Sequence, residues 1–183
     1  MGNKINYEQI SEITNYNVAF IGDMKVGKTS ILYNYDSDYM PTIGVEYKVI
    51  KYTRDKIIQN IHFYDLSGNV NHENLTNKYF LNMDLYILVF DLTNLTSFYN
   101  IYKWYNKCKS CEDNKFSKYL LVGNKCDEIS IISKNLINKF CDKYNIKYIE
   151  TSVTNNINIT ELFTNISDML IDKKNDDICC PII

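Results

Sequence analysis

Residues 17–35 read Asn17-Val-Ala-Phe-Ile-Gly22-Asp-Met-Lys-Val-Gly27-Lys28-Thr29-Ser-Ile-Leu-Tyr-Asn-Tyr35. A short apolar run, a glycine-bounded turn and a stretch suited to a short helix follow one another, which predicts strand, loop and helix. The turn matches G-x-x-x-x-G-K-[ST] and lies where that pattern must lie, between strand and helix. Glycines there let successive backbone N–H groups converge on the phosphates of a nucleotide, and the next helix presents its positive end to them. The candidate phosphate-binding set is Gly22, Asp23, Lys25, Val26, Gly27, Lys28, Thr29 and Ser30. Lys28 is placed to bridge the β- and γ-phosphates, and the Thr29 hydroxyl to ligate Mg²⁺, a cation that keeps several waters and needs few protein oxygens.

Working outward, Val45 to Thr53 alternates as a strand does, and Gln59 to Asp65 reads as its hairpin partner around Arg54-Asp-Lys. Leu85-Tyr-Ile-Leu-Val-Phe90 and Tyr119-Leu-Leu-Val-Gly123 are apolar throughout, as strands covered on both faces should be. Ile146 to Ile149 makes a last short strand. Helical spacing marks Phe98, Ile101, Tyr105 and Cys108, then Leu136, Ile137, Phe140 and Tyr144, and finally Ile159, Leu162, Phe163, Ile166 and Leu170. Strands and helices alternate, so the fold class is α/β, a mostly parallel six-stranded sheet with helices on both faces and one antiparallel edge. Ligands of such sheets sit at the carboxyl ends of the strands.

The chain of 183 residues suits one domain, with 45% hydrophobic and 23% charged residues, which excludes a wholly disordered chain. Twenty basic against twenty-two acidic side chains leave no phosphate-neutralising footprint for nucleic acid, which is not expected as a partner. No apolar run approaches a membrane span, and the start lacks a signal core. The six cysteines lack the spacing of a disulfide framework, and a reducing compartment fits them better. Cys108-Lys-Ser-Cys111 has the spacing of half a zinc site without a second pair to complete it; ordinary thiols are expected there.

A phosphate loop alone does not name the base, because ATPases and kinases share it. Asn124-Lys125-Cys126-Asp127 follows a central strand directly. A carboxylate there can accept from the ring N1–H and the exocyclic amine of guanine, a donor pair adenine lacks, so Asp127 is expected to select guanine. Asp65-Leu-Ser-Gly68 closes the third strand, where Asp65 can hold a Mg²⁺-bound water and the Gly68 N–H can reach a γ-phosphate oxygen. Pro41-Thr42-Ile-Gly-Val-Glu46 offers the Thr42 hydroxyl to Mg²⁺ only while a third phosphate holds the segment. The metal set is therefore Thr29, Thr42 and Asp65.

In combination these motifs resemble the Ras superfamily of small GTPases, a phosphate-loop NTPase fold of three layers, and within it the Rab branch. Thr42-Ile-Gly-Val-Glu-Tyr-Lys48 looks like the Rab first switch, Leu121-Val-Gly-Asn-Lys-Cys-Asp127 follows the family pattern, and Tyr79-Phe80 through Thr93, with Ser97-Phe98 and Trp104, does so without a gap. Glu150-Thr-Ser-Val153 resembles the last guanine-contacting loop, adding Thr151, Ser152 and Val153 to the base site, with the amides near Ser152 and Val153 approaching the guanine O6. The resemblance implies a GTP-hydrolysing switch of vesicle traffic, with Mg²⁺ and GTP or GDP as ligands. Catalysis would rest on positioning by Lys28, Thr42, Gly68 and Asn69 rather than on a nucleophile. It also implies a monomer whose effectors, exchange factor and activating protein read Pro41–Glu46 and Asp65–Phe80.

Two departures qualify that reading. The family's hydrolytic glutamine corresponds to Asn69, one methylene shorter, so slow intrinsic hydrolysis is expected. Lys28 to Thr42 spans 14 positions, against about nineteen in the family, or roughly 7 Å less if the loss is helical. Counted back from Thr42, Tyr35 falls against the guanine and Tyr39 over the phosphates; counted forward from Lys28, neither does. The backward register is preferred because it shortens the helix and keeps the sensor. A non-cycling scaffold of the same fold is the rival reading, and an ATP-using kinase a third.

The end, Ile178-Cys-Cys-Pro-Ile-Ile183, with the Rab resemblance, points to geranylgeranylation of Cys179 and Cys180. One lipid chain anchors marginally and two hold, and Lys173-Lys174 is offset by Asp176-Asp177. The expected layout is an extension over residues 1–15, a GTPase domain over 16–173 and a lipidated tail over 174–183. Its place is the cytoplasmic face of intracellular membranes, in exchange with the cytosol.

Overall fold

The computed structural model describes residues 12–35, 45–54, 57–66, 80–111 and 117–179. Thr42, Gly68, Asn69 and Cys180, with most of both proposed switch segments, lie outside the described residues. Among the described residues ten elements follow in chain order: β1 (Glu12–Ile21), α1 (Lys28–Tyr35), β2 (Val45–Arg54), β3 (Ile57–Leu66), β4 (Leu85–Asp91), α2 (Leu95–Ser110), β5 (Lys118–Asn124), α3 (Lys134–Tyr144), β6 (Lys147–Thr151) and α4 (Ile159–Cys179).

The six strands form one sheet in the order β2-β3-β1-β4-β5-β6. The β2 to β3 pairing is antiparallel, closing the expected hairpin at Arg54↔Ile57, and the other four pairings are parallel. Every residue of β4 is buried, which is why Leu85 to Asp91 shows no alternation: helices cover both of its faces. On β1 the period of two divides the core. Val18 and Phe20 pack with Ile31 and Leu32 of α1 and with Phe163 and Ile166 of α4. Ala19 and Ile21 pack with Phe98 and Ile101 of α2 and with Ile137 and Phe140 of α3.

The helix ends follow their sequence signals. Asn94 caps α2 by accepting from the Thr96 and Ser97 amides, Ser133 caps α3 at the Leu136 amide, and Asn145 closes α3 in the left-handed region at φ 51°. Two boundaries differ from expectation. Strand β1 begins at Glu12, ahead of the apolar run, because the long β2–β3 hairpin offers it partners from Glu12↔Ile57 onward. Helix α4 continues to Cys179, through residues expected to form a tail. Lys173 to Cys179 contains no Gly or Pro to break the helix.

One buried polar lock joins the sheet to α4. The Ser167 hydroxyl donates to Gln59 Oε1 at 2.5 Å, and Gln59 Nε2 returns a bond to the Ser167 carbonyl at 3.2 Å. Cys108 is fully buried among the residues of the α2 and α3 face and packs there as a small apolar side chain. Among the described residues no helix is long and apolar enough to cross a membrane.

Candidate functional site

The loop after β1 is shaped by two glycines that nothing larger can replace. A Cβ on Gly22, at φ +148°, would lie 2.1 Å from the Val89 carbonyl oxygen, and one on Gly27, at φ +99°, would lie 2.1 Å from Asn124 Nδ2. Lys25 adopts the left-handed conformation at φ 65°, so the chain doubles back between the glycines. The Gly27 carbonyl accepts from the Ile31 amide at 2.9 Å, the first bond of α1. The first-turn amides of that helix have no intrahelical acceptor and open onto the concavity. Val26 is buried beneath the loop, while Ser30 is exposed on the first turn.

Lys28 is 6% exposed. Its Nζ donates to the Gly22 carbonyl at 2.8 Å and to the Asp23 carbonyl at 2.7 Å, spanning the loop it follows. Burial lowers the Lys28 pKa, against the opposing pull of the Asp65 and Asp23 carboxylates. The Thr29 hydroxyl donates to Asp65 Oδ2 at the end of β3. Two hard oxygens from separate motifs thus meet beside the loop, a donor set that fits Mg²⁺, which completes its octahedron with water and phosphate oxygens. Among the described residues no group of three or more His, Cys, Asp or Glu side chains gathers elsewhere to hold a metal.

At the carboxyl end of β5, Asn124 ties three loops together. Its Nδ2 donates to the Val26 carbonyl at 2.9 Å and its Oδ1 accepts from the Thr151 hydroxyl at 3.1 Å, both bonds buried. Lys125 sits at φ 65°, and its Nζ pairs with Asp91 Oδ2 at 2.5 Å. Asp91 Oδ1 accepts from the Thr93 amide and hydroxyl at 2.9 and 2.7 Å. Burial pushes the Asp91 carboxyl up, but the bonds from Lys125 and Thr93 prevail and hold it below the ordinary value. Asp127 follows in an exposed turn, its carboxylate open to solvent. The thiol of Cys126 between them is pushed up by burial and by the Glu150 and Asp127 carboxylates.

Two expectations need correction. Tyr35 does not turn toward a base: it is the last residue of α1, and its ring stacks on Phe163 of α4 with centroids 3.8 Å apart and planes at 15°. The eight-residue helix places Tyr35 one turn after Ile31, on the buried side, so the ring joins the core. The Ser152 amide is not available to the guanine O6 either. It donates to the Ile157 carbonyl at 3.1 Å, while the Ile157 amide returns a bond at 2.8 Å and closes the loop. Ser152 is nonetheless buried at the site's edge beside Thr151, and the Val153 amide stays outside that closed pair.

The structure also brings to the site residues that the sequence gives no role there. Asp91 reaches the site because β4 and β5 end in register, Asp91 opposite Asn124. Asn100 and Trp104 reach it from α2, where both donate to the Asp23 carboxylate. The terminal carboxylate of an otherwise apolar strand is the signal that marks Asp91. For Asn100 no local signal exists.

A phosphate-gripping loop, a carboxylate-bearing base loop and a pair of hard oxygens, gathered at the strand ends of a mostly parallel sheet, define a phosphate-loop nucleotide-binding protein. A sequence model of the Ras family matches residues 17–172, and the chain belongs to that family, within its Rab branch. The Ras-related protein Rab-32D of Dictyostelium discoideum is 31% identical over 179 residues, covering 91% of this chain and 78% of that protein. Human Ras-related protein Rab-3A is 30% identical over 172 residues, covering 89% and 77%. Ras-related protein RABD2c of Arabidopsis thaliana is 32% identical over 155 residues, covering 81% and 76%. Guanine-nucleotide binding, GTP hydrolysis and a part in membrane traffic follow at the level of the family.

Proposed function

We propose that this chain is a Mg²⁺-dependent GTP switch of vesicle traffic with slow intrinsic hydrolysis. The observation that carries the reading is the Asn124 side chain, which binds the phosphate loop at Val26 and the last base loop at Thr151 while opening the segment that ends in Asp127. Base and phosphate recognition would thereby be joined through one side chain. Guanine would be accepted by the Asp127 carboxylate, with the Val153 amide toward its O6. Lys28 and the amides from Asp23 to Thr29 would take the phosphates, Lys28 exchanging its loop carbonyls for phosphate oxygens.

Thr29 and Asp65 would hold Mg²⁺, joined by Thr42. When bound, the ion supplies charge neutralisation at the β- and γ-phosphate oxygens. Thr42 and Gly68 would order around the third phosphate and be released after hydrolysis, so effectors, exchange factor and activating protein would read residues 41–46 and 65–80. Asn69, one methylene shorter than the family's glutamine, would orient the attacking water less well, which would make intrinsic hydrolysis slow. Prenyl groups on Cys179 and Cys180 would hold the protein, as a monomer, to the cytoplasmic face of intracellular membranes, exchanging with the cytosol.

Mass spectrometry of the nucleotide that co-purifies with the protein tests the reading, together with competition of GDP against ADP. Guanine nucleotide is expected, with GDP preferred by at least about a thousandfold, and Asp127→Ala is expected to remove most of that preference. Equal affinity for the two bases, or undiminished preference in Asp127→Ala, would overturn it.

A further inference from the structure

Asp23 stands immediately after Gly22 and puts a negative charge into a loop otherwise built to receive an anion. Helix α2 takes up both of its carboxylate oxygens. Oδ1 accepts from the indole Nε1 of Trp104 at 2.8 Å, and Oδ2 accepts from Asn100 Nδ2 at 2.7 Å. The two donors are four residues apart, neighbours on one face of α2. The main-chain oxygen of Asp23 accepts from Lys28 Nζ at 2.7 Å. Lys107 Nζ lies 5.8 Å from the centre of the Trp104 ring and 4.9 Å from that of Phe80, so the indole is held by a cation as well as by its hydrogen bond.

We propose that Asn100 and Trp104 are positioning residues of the phosphate loop: they hold the Asp23 carboxylate against α2, away from the bound phosphates, so that nucleotide retention depends on a helix outside the phosphate and base motifs. The inference rests on the proposed nucleotide site. Its physical basis is a difference between bound and released carboxylate. Clamped by two charge-assisted bonds from neutral donors, the charge is stabilised and fixed in place. Released, it is free to swing toward like charge in a partly dehydrated loop, where repulsion is poorly screened.

The test is the release rate of a fluorescent N-methylanthraniloyl GDP from the full chain loaded with Mg²⁺, read by direct excitation of the label. Trp104→Phe keeps an aromatic ring and removes the N–H, and Asn100→Leu removes the other donor. Each is expected to speed release about three- to tenfold, and the double variant more. Adding Asp23→Asn to the double variant is expected to slow release back toward the wild-type rate, because a neutral amide has no charge to restrain. Asn100→Asp, nearly isosteric, sets two carboxylates face to face and is expected to speed release even if the double variant fails to fold. Wild-type release from Asn100→Asp or from the double variant overturns the proposal. So does fast release that Asp23→Asn leaves unchanged, which would assign the effect to lost packing. A wild-type chain that binds no labelled GDP would instead defeat the function proposed above.

Discussion

The Asn124 side chain donates to the Val26 carbonyl across 2.9 Å, so the loop proposed to recognise the base holds the loop proposed to grip the phosphates. Asn124→Ala leaves the Val26 carbonyl and the Thr151 hydroxyl without that partner in a buried setting, at a cost of about 1–3 kcal/mol. Binding of GDP and GTP is expected to weaken together by about ten- to a hundredfold, with the preference for guanine kept through Asp127. Titration calorimetry with both nucleotides and with ADP checks it.

The pairing of Lys125 with Asp91 gives a pH dependence. The Asp91 carboxyl is held below its ordinary value near 3.8 in the folded protein. Its contribution to stability is therefore fully present above that value and lost as pH falls below it, through the depressed folded value. Asp91→Asn is expected to lower the melting temperature at neutral pH. The gap between wild type and variant should narrow as pH falls below about 4. A series of thermal melts from neutral pH to pH 2.5 measures both.

Tyr35 stacked on Phe163 is part-buried and packs against the core. Tyr35→Ala is expected to cost about 2 kcal/mol of stability, below the range for a fully buried aromatic. The ratio of GDP to ADP affinity should stay as in the wild type. A role against the base would give the reverse pattern, with selectivity lost and stability little changed, so chemical denaturation and nucleotide competition together separate the two.

Asn69 sets a prediction from the sequence alone. Lengthening the side chain by one methylene, Asn69→Gln, is expected to speed intrinsic GTP hydrolysis about tenfold, equivalent to about 1.4 kcal/mol of barrier. Nucleotide affinity should be unchanged, since the role proposed for the residue is on water rather than on phosphate. Single-turnover hydrolysis of radiolabelled GTP on the full chain measures the rate.

The phosphate loop is legible in the sequence because its geometry is local: Gly22 at φ +148° and Gly27 at φ +99° bracket a short turn in backbone conformations that side-chain-bearing residues rarely adopt. The central strands are legible for a similar reason, since burial on both faces leaves Leu85 to Phe90 with no polar position. What escapes is decided by partners remote in the chain. The fate of Tyr35 depends on the length of α1 and on Phe163, a ring 128 positions away. The Ser152 amide is lost to Ile157 because the loop closes on itself, which no spacing of residue types announces. The clamp on Asp23 depends on how α2 crosses the strand ends, and the sequence shows a carboxylate in an anion site without showing what restrains it.

Helix α4 runs unbroken over 21 residues to Cys179, about 30 Å in all, with its first half packed into the core. A lipid carried at its far end would be joined to the domain by a stiff strut rather than a slack tether. Tilting the domain on the bilayer would then tilt the strut with it, so the orientation shown to approaching proteins would be set by the angle at which one helix meets the headgroups.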